Sequence, residues 1–426
     1  MVIKIVHTAD IHFGMENYGK IDQKSGVHTR LLDFKNALDF CIDFCIQEKI
    51  DLFVFAGDAY KTANPSPTQQ KLLMECFFRL YKNNIPVVIV VGNHDSSLSF
   101  GKATALDVFG NLPIDGFHVI SKPESLTINS KNGPIQVVAI PWPSRTNITI
   151  SDKYVFKSAT EIIDTISKKV SSIISDFASK LNPKIPSILC GHLTVSSGVF
   201  SGSEKRAVYG NDPLFLPSQL AIEPFDYVAL GHLHRYQNLN KNGYPAIVYS
   251  GSVERVDFGE RKEEKGFCLV KIPEKNKASY EFIKTPTRPF IQIEVKIKDK
   301  GQSKPQENDS EFVDEDQTEQ IISEIKKYNI ENAILKILYY LPNSLKDSVN
   351  LRKIQQECSK AMYIVGIIPI RELEQRNLRM GTRVEMSLEE LLNNYFNSKP
   401  DLKNHKSRLI EKTLNLQAEL QDKEQN

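Results

Sequence analysis

Short polar motifs that directly follow apolar, β-branched runs constrain the possible fold of this chain more than any other feature of its sequence. Residues 87–91 (Val-Val-Ile-Val-Val) indicate a buried strand, and Gly92-Asn93-His94-Asp95 follows it at once. In an open α/β sheet, ligands bind at the ends of such strands. An amide, an imidazole and a carboxylate side by side are costly there unless they bind something, and these groups favour a divalent metal ion.

Four further motifs share this placement. In chain order, the five are Asp10-Ile11-His12, Gly57-Asp58, Gly92-Asn93-His94-Asp95, Gly191-His192 and Gly231-His232-Leu233-His234. Five of the nine histidines in the chain fall in these motifs, which a random scatter would not produce. We therefore predict that the strand ends contribute to a metal site.

The chemistry of these donors narrows the choice of ion. Mixed carboxylate, imidazole and amide donors suit Mn²⁺, Fe²⁺ or Zn²⁺ better than Mg²⁺ or Ca²⁺, and the lack of cysteine donors argues against a structural zinc site. The donors are too many for one ion, so we expect two ions about 3.5–4 Å apart with one group bridging them. Asp58 is alone on its strand end, and its carboxylate has the two oxygens that a bridge needs.

The first two thirds of the chain repeat a strand, a polar loop and a helix, which predicts an α/β fold with helices packed on a sheet. Predicted strands cover residues 2–6, 52–55, 87–91, 136–140, 187–190, 226–230, 247–249 and 267–271. Predicted helices cover residues 30–48, 68–81 and 159–181. The sequence leaves the order and direction of the strands open.

A break at Thr285-Pro286-Thr287-Arg288-Pro289 ends this pattern. Beyond it we predict a strand at 291–297, an acidic linker at 298–317, a helix at 318–328, a strand at 333–340, a helix at 351–361 and a strand at 363–370. A helical tail follows, in which Ser387 and Glu390 form a capping box and a second helix covers about 402–420. The expected domains are therefore 1–284, a small α+β domain at 285–375 and the tail at 376–426. The apolar stripe of the tail either binds a partner helix or packs on its own domain.

Composition sets the cellular context. Lys and Arg total 54 against 52 Asp and Glu, so the net charge of +2 neither requires nor excludes a nucleic-acid partner. The sequence lacks an apolar run of about 18 residues and begins directly with a strand, so we expect a cytoplasmic protein without a membrane partner. Its six cysteines form no C-x-x-C pair, and we expect buried free thiols.

The set of motifs resembles the calcineurin-like metallophosphoesterases, whose pattern is D-x-H, G-D, G-N-H-[DE], G-H and G-H-x-H. The resemblance spans residues 1–284 and implies a phosphoesterase sheet sandwich flanked by helices. It implies that one metal ion is held by Asp10, His12, Asp58 and His234. It implies that the second is held by Asp58, Asn93, His192 and His232. His94 is then unligated and close to the substrate phosphate, where it stabilises or protonates the leaving oxygen, and Asp95 orients it.

Residues 57–68 and 250–267 resemble the SbcD-type DNA repair exonucleases. This resemblance implies a Mn²⁺-dependent nuclease of double-strand-break repair and recombination, with exonuclease activity on duplex ends and endonuclease activity on single strands or hairpins. It also implies a DNA-capping domain at 285–375 and a tail that binds an SbcC-type coiled-coil ATPase. Members of the family often form homodimers, and a bacterial member would be associated with the nucleoid. Arg235 and Arg255 are candidates for substrate contacts.

Two other functions fit parts of the pattern. A phosphodiesterase or phosphatase of a small nucleotide would use the 285–375 domain as a lid and would need no ATPase. A non-catalytic scaffold would keep the fold without the chemistry. The complete ligand set together with His94 argues against the scaffold.

Overall fold

The structure is a computed structural model that describes residues 2–96, 103–111, 115–144, 158–202, 212–298, 317–343, 345–371, 392–393, 395–396 and 406–414. The chain divides into two compact units. The first contains Met1–Ile293, Ile322–Ile337 and Asn350–Ile367, and the second contains Glu294–Ile321, Leu338–Val349 and Ile368–Asn426. The expected domain boundaries after residues 284 and 375 stay predictions.

Fourteen strands are described before residue 285. They are β1 (Ile3–Thr8), β2 (Leu52–Phe55), β3 (Val87–Val90), β4 (Phe117–Ile120), β5 (Glu124–Ser130), β6 (Gly133–Ile140), β7 (Ser187–His192), β8 (Thr194–Val195), β9 (Leu214–Phe215), β10 (Tyr227–Gly231), β11 (Gln237–Asn238), β12 (Ala246–Tyr249), β13 (Gly266–Ile272) and β14 (Ser279–Lys284). Two six-stranded sheets have the orders β14-β13-β1-β2-β3-β4 and β11-β12-β10-β7-β6-β5, and β8 pairs with β9.

Each large sheet combines four parallel strands with two strands in antiparallel pairings. In the first sheet β1 to β4 run parallel, while β13 is antiparallel to β1 and β14 is antiparallel to β13. In the second sheet β6, β7, β10 and β12 run parallel, while β5 and β11 are antiparallel. The carboxyl ends of the parallel strands in each sheet therefore lie on one edge, where the polar motifs are.

Three apolar layers hold the sheets and helices together. The helices are α1 (Thr29–Gln47), α2 (Pro67–Lys82), α3 (Asp107–Gly110), α4 (Ala159–Lys180) and α5 (Pro217–Leu220). One core, with Ile5 and Val137 from opposite sheets, lies between the two sheets. A second lies between α1, α2 and the first sheet, and a third between α4 and the second sheet. The unit is thus a sheet sandwich flanked by helices, as predicted.

Helix starts follow local sequence signals. Ser66 caps α2 in a capping box with Gln69, and Pro67 stands at the first helical position. Ser158 and Glu161 form a second capping box at α4. These predicted helices and the predicted buried strands are confirmed. The short or edge strands β4, β5, β8, β9, β11 and β14 were not predicted, because half-exposed strands such as β5 lack a continuous apolar signal.

The predicted elements beyond residue 285 are also present where the structure describes them. They are β15 (Phe290–Lys296), α6 (Gln317–Ile325), β16 (Ile334–Leu341), α7 (Leu351–Glu357) and β17 (Tyr363–Arg371), and the strands form a sheet in the order β15-β16-β17. Nearly all of the predicted acidic linker and most of the first tail helix, with Ser387 and Glu390, lie outside the described residues. Residues 406–414 are helical, inside the predicted second tail helix.

Two other sequence-based expectations concern the whole chain. All six cysteines are free and buried, as predicted. Within the described part of the chain, no helix combines the length and the apolar character that crossing a membrane requires.

Candidate metal centre

The five motifs meet at one place, where strand ends of the two sheets approach each other. Ligand atoms within 4.8 Å of one another form three overlapping groups: Asp10, His12 and His234; Asp10, Asp58 and His192; and His12, Asp58 and His94. Asp10, His12 and Asp58 each belong to two groups, so the groups form one continuous centre. The structure thus brings five of the predicted ligands together from loops up to 222 residues apart. It also places His94, which is predicted to be unligated, within reach of His12 and Asp58.

The loops that carry the ligands are held in an unusual backbone conformation. Asp10, His12, Asp58 and His232 have φ values of 55°, 50°, 58° and 105°, which L residues rarely adopt. Each costs about 1–3 kcal/mol, and such strain concentrates at functional sites. The loop after β1 is fixed against the loop after β2, because Asp10 N donates to Gly57 O (2.9 Å) and His12 N to Asp58 O (3.1 Å).

Two motif glycines leave space that the ligands need. A Cβ on Gly92 would lie 2.1 Å from Asp58 Oδ1, and a Cβ on Gly57 would lie 2.4 Å from His192 Nδ1. Gly57 also has a φ of +100°, which favours glycine. The glycines of these two motifs therefore allow two ligand-bearing loops to approach closely.

One part of the centre, the His12–His234 half, contains Asp10, His12 and His234. Nε2 of His12 lies 2.9 Å from Nε2 of His234. Nδ1 of His234 donates to Glu260 Oε1 at 2.8 Å, because a carboxylate only accepts, so Nε2 of the neutral ring keeps its lone pair. Burial, reinforced by His234, holds the pKa of His12 well below its usual value.

The other part, the Asn93–His192 half, contains Asn93, His192 and His232. His192 donates from Nδ1 to Ala56 O (2.8 Å), and its Nε2 lies 2.9 Å from Asn93 Oδ1. His232 Nδ1 lies 3.2 Å from the same amide oxygen. Two imidazoles and one amide oxygen thus converge.

Asp58 lies between the two halves. Its Oδ2 is 3.4 Å from His192 Nε2 and 3.7 Å from His12 Nε2. Burial lowers the pKa of His192, but the Asp58 charge outweighs it and raises that pKa to about 9. Burial likewise opposes ionisation of Asp58, yet His192 and then His12 hold the pKa of Asp58 below its usual value. The position matches the predicted bridge, and ionisation of Asp58 suits metal binding.

The donor set fits divalent ions. Two ligands about 2.1 Å from one ion and at right angles to each other are about 3 Å apart, which matches the His12–His234 separation. His192 and His234 each present Nε2 to the centre. The Nδ1 of each ring donates to an acceptor, Ala56 O for His192 and Glu260 Oε1 for His234, and such hydrogen bonds orient histidine ligands. Binding of metal by these residues stays a prediction that the geometry supports.

His94 is exposed at the mouth of the centre. Its backbone N–H donates to Asp58 Oδ1 (2.9 Å), and its ring lies 5.0 Å from the His12 ring. Its Nδ1 is 2.8 Å from the carbonyl of Lys61, so Nδ1–H donates there and Nε2 is available.

Asp95 is buried beside the backbone of two motif loops. Its carboxylate accepts hydrogen bonds from the backbone N–H groups of Ala59, Tyr60 and Gly92. Burial and the Asp58 charge raise the pKa of Asp95 to about 6 against these donors. Asp95 therefore ties the Gly57-Asp58 loop to the Gly92 loop that carries His94, and its role in orienting His94 stays a prediction.

The two predicted substrate-binding arginines differ. The guanidinium of Arg255 is taken up by the protein: it donates to Thr287 Oγ1, to Arg288 O (3.2 Å) and to Glu263 O (3.0 Å). Arg255 therefore joins chain segments, and its contact with substrate stays a prediction. Arg235 is exposed and directly follows His234, so its contact with substrate stays a prediction.

Sequence reasoning did not assign several residues that support the ligands. Glu260 and Lys265 form a buried pair behind His234, with Oε2 and Nζ 2.8 Å apart. Asp212 Oδ2 lies 3.4 Å from His232 Nε2, and the Trp142 ring lies 4.9 Å from the His232 ring. Glu260 stands in the stretch that resembles SbcD-type nucleases, but no spacing in the sequence pairs it with His234.

Comparison with known proteins agrees with this centre. The calcineurin-like phosphoesterase family matches residues 3–236. The SbcD subunit of the nuclease SbcCD from Staphylococcus saprophyticus is 29% identical over 295 residues, which cover 69% of this chain and 71% of that protein.

Two solved structures also resemble the chain. GAP50, the anchor in the inner membrane complex of Plasmodium, is 18% identical with a TM-score of 0.39, and the match covers 66% of this chain and 84% of that chain. A dimetal phosphatase from Danio rerio is 11% identical with a TM-score of 0.38, and the match covers 67% of this chain and 99% of that chain.

The family match spans more than half of the chain and includes all five motifs. Its implied chemistry, metal-dependent hydrolysis of a phosphoester, agrees with the convergent carboxylate, imidazole and amide donors. The chain belongs to the calcineurin-like phosphoesterase family.

Proposed function

We propose that this chain is a Mn²⁺-dependent DNA nuclease that acts on duplex ends as an exonuclease and on single strands or hairpins as an endonuclease. The observation that carries the proposal is the continuous centre in which Asp58 lies between two sets of ligands while His94 stands exposed beside it. The similarity to the SbcD subunit of an SbcCD nuclease supports DNA as the substrate.

The predicted ligands of each ion lie in one half of the centre, and Asp58 lies between the halves. Asp10, His12 and His234 would hold one ion, Asn93, His192 and His232 the other, and Asp58 both. Two such ions supply charge neutralisation on the phosphoryl oxygens and a lower pKa for attacking water. Imidazole and carboxylate donors together suit Mn²⁺.

His94 is the residue that we assign to proton transfer. Its Nδ1–H is bound to the Lys61 carbonyl, so its Nε2 is the atom that holds or donates a proton at the leaving oxygen. Because the ring is exposed, a polymer can reach it without opening the core. Asp95 is a positioning residue, because it fixes the loops that carry Asp58 and His94.

We further propose that the nuclease acts in double-strand-break repair with an SbcC-type ATPase, in the cytoplasm where its DNA substrate is. The helical tail would bind that ATPase, and the 285–375 domain would lie beside the DNA. Removal of the residues after Ser387 should then leave DNA cleavage intact and abolish co-elution with the ATPase on a sizing column. Unchanged co-elution would contradict this role of the tail.

The test of the nuclease is hydrolysis of an end-labelled linear duplex with Mn²⁺, comparing the wild type, His94→Ala and the control His118→Ala. His118 lies mid-strand in β4, outside the motifs. We expect a loss of about 10²–10⁴-fold for His94→Ala only, the usual contribution of general acid–base catalysis. Bound Mn²⁺, measured by elemental analysis, should stay at the wild-type level.

Two results would contradict the proposal. Intact DNA, with and without the ATPase, alongside hydrolysis of a small nucleotide would favour the small-substrate phosphodiesterase. Loss of Mn²⁺ together with activity in His94→Ala would make His94 a ligand.

A further inference from the structure

A groove of about 750 Å³ lies beside the loops that carry three of the histidines. One wall is the segment from Arg235 to Lys241, which continues directly from His234. A second wall contains Ser197 and Val199, which follow His192 through β8. Tyr280 of β14 contributes from the edge of the first sheet, whereas β11 forms the edge of the second. The groove thus lies where the two sheet edges meet.

The charges of the groove are of one sign. Arg235 and Lys241 are exposed, and no lining residue is acidic. Within the described part of the chain, neither side chain forms an ion pair or a hydrogen bond. Two unpaired cations in one concave surface attract a ligand with repeated negative charge.

The walls of the groove are fixed before any ligand arrives. Gln237 accepts from Val199 N (2.8 Å) and donates to Val199 O (3.0 Å), which joins the two walls. The Tyr236 ring is stacked on Phe282 with centroids 4.0 Å apart and planes 17° apart. A preformed cleft loses less entropy on binding than a mobile loop does.

We propose that this groove binds the sugar–phosphate backbone of an unpaired nucleic-acid strand beyond the scissile phosphate. Arg235 and Lys241 contact phosphates, and the tyrosine rings offer apolar surface to the sugar or base. A volume of this order accepts a ligand of one or two nucleotides, as in small-molecule sites. The proposal deepens the nuclease function and rests on it, because that function supplies the polymer that extends from the metal centre into the groove.

The test measures binding without cleavage. Fluorescence anisotropy of a labelled oligothymidylate in EDTA compares the full wild-type chain with Arg235→Gln, Lys241→Gln and the control Lys184→Gln. Lys184 is an exposed lysine near the amino end of β7, away from the motif end. Arg235→Gln and Lys241→Gln should each weaken binding several-fold, and each should lower the slope of log affinity against log salt by about 0.7. Lys184→Gln should change neither quantity.

The possible outcomes test strand binding by the groove and the nuclease activity separately. If both groove variants keep the wild-type affinity and salt slope, the proposal that the groove binds the strand is wrong, even if the protein cleaves DNA. Reduced oligonucleotide binding in both variants would support the groove, and failure of the wild type to cleave DNA with Mn²⁺ would then count against the nuclease alone. Equal displacement of the oligonucleotide by a polyglutamate peptide would overturn the assignment to nucleic acid. Thermal midpoints of all variants should match the wild type, since the mutated side chains make none of the contacts that hold the walls together.

Discussion

The two halves of the metal centre differ in what holds their histidines. In the His12–His234 half, His234 is held by Glu260, which is fully buried and paired with buried Lys265. In the Asn93–His192 half, His192 is held by a backbone carbonyl, and Asp212, whose side chain is 15% exposed, lies 3.4 Å from His232. One half thus has a charged, enclosed support and the other a mostly neutral, more open one.

This difference has an electrostatic consequence. Burial favours the neutral form of Glu260, but Lys265 and then His234 outweigh it and lower the pKa of Glu260 to about 2. Glu260 is therefore charged near neutral pH, and it increases the basicity of His234. We expect the His12–His234 half to bind its ion more tightly than the Asn93–His192 half does.

Asp58→Asn should have the largest effect, because it removes the charge that both halves share. We expect a loss of roughly 10³-fold in kcat/KM, since each ion contributes several kcal/mol of charge stabilisation. Calorimetric titration with Mn²⁺ should show weaker binding at both sites. Weaker Mn²⁺ binding at one site only would contradict the bridging role of Asp58. It would show that the two halves bind their ions independently.

Glu260→Gln should affect the His12–His234 half alone. A glutamine amide can donate to His234 Nδ1 and so place the proton on Nε2, which opposes metal binding. We expect the tighter of two Mn²⁺ affinities to fall about 10–100-fold, the usual cost of losing such a partner. The weaker affinity should change little.

A control is needed because Glu260→Gln also removes one of the two carboxylates that pair with buried Lys265, leaving Glu263 at 3.2 Å. Losing one partner of a buried ion pair lowers the free energy of unfolding, by up to about 3–5 kcal/mol. The double variant Glu260→Gln with Lys265→Met removes both charges. If the double variant regains the wild-type melting temperature and also the wild-type metal affinity, Glu260 only stabilises the fold. Because Lys265 Nζ also donates to His234 O (2.9 Å), Lys265→Met alone serves as the reference. Regained stability with metal binding weaker than in that single variant would support the role of Glu260 in orienting His234.

Asp212→Asn should have the smallest effect. The Asp212–His232 contact is 3.4 Å long and partly exposed, and such pairs contribute about 0.2–1 kcal/mol. We therefore expect at most about a fivefold decrease in the weaker Mn²⁺ affinity in the same titration. A decrease as large as that caused by Glu260→Gln would show that Asp212 supports His232 as strongly as Glu260 supports His234. That result would contradict the difference between the two halves.

Much of the metal centre could be predicted from the sequence, because the residues that identify it lie in short contiguous motifs. Each motif follows an apolar strand, so strand assignment alone places Asp10, Asp58 and Asn93 at strand ends. The ligand chemistry then indicated two metal ions. Apolar periodicity likewise predicted the helices α2 and α4, and the structure showed the capping boxes at which they begin.

The supporting contacts could not be predicted, because they join distant segments. Arg255 was expected to face substrate, yet its guanidinium donates to backbone and side-chain oxygens more than seven residues away. Asp95 was expected to orient His94, yet it accepts from backbone N–H groups of another loop. Such partners depend on how loops cross, which residue type and spacing do not specify.

The sequence by itself determined the identity of the donors, their places after strands and the family to which they point. Only the tertiary structure decided that His12 meets His234, that Asn93 meets His192 across two sheets, and that Glu260 stands behind His234. The physical reason is that apolar periodicity specifies which face of a strand is buried. It does not specify the order of the strands or which ends of two packed sheets come together.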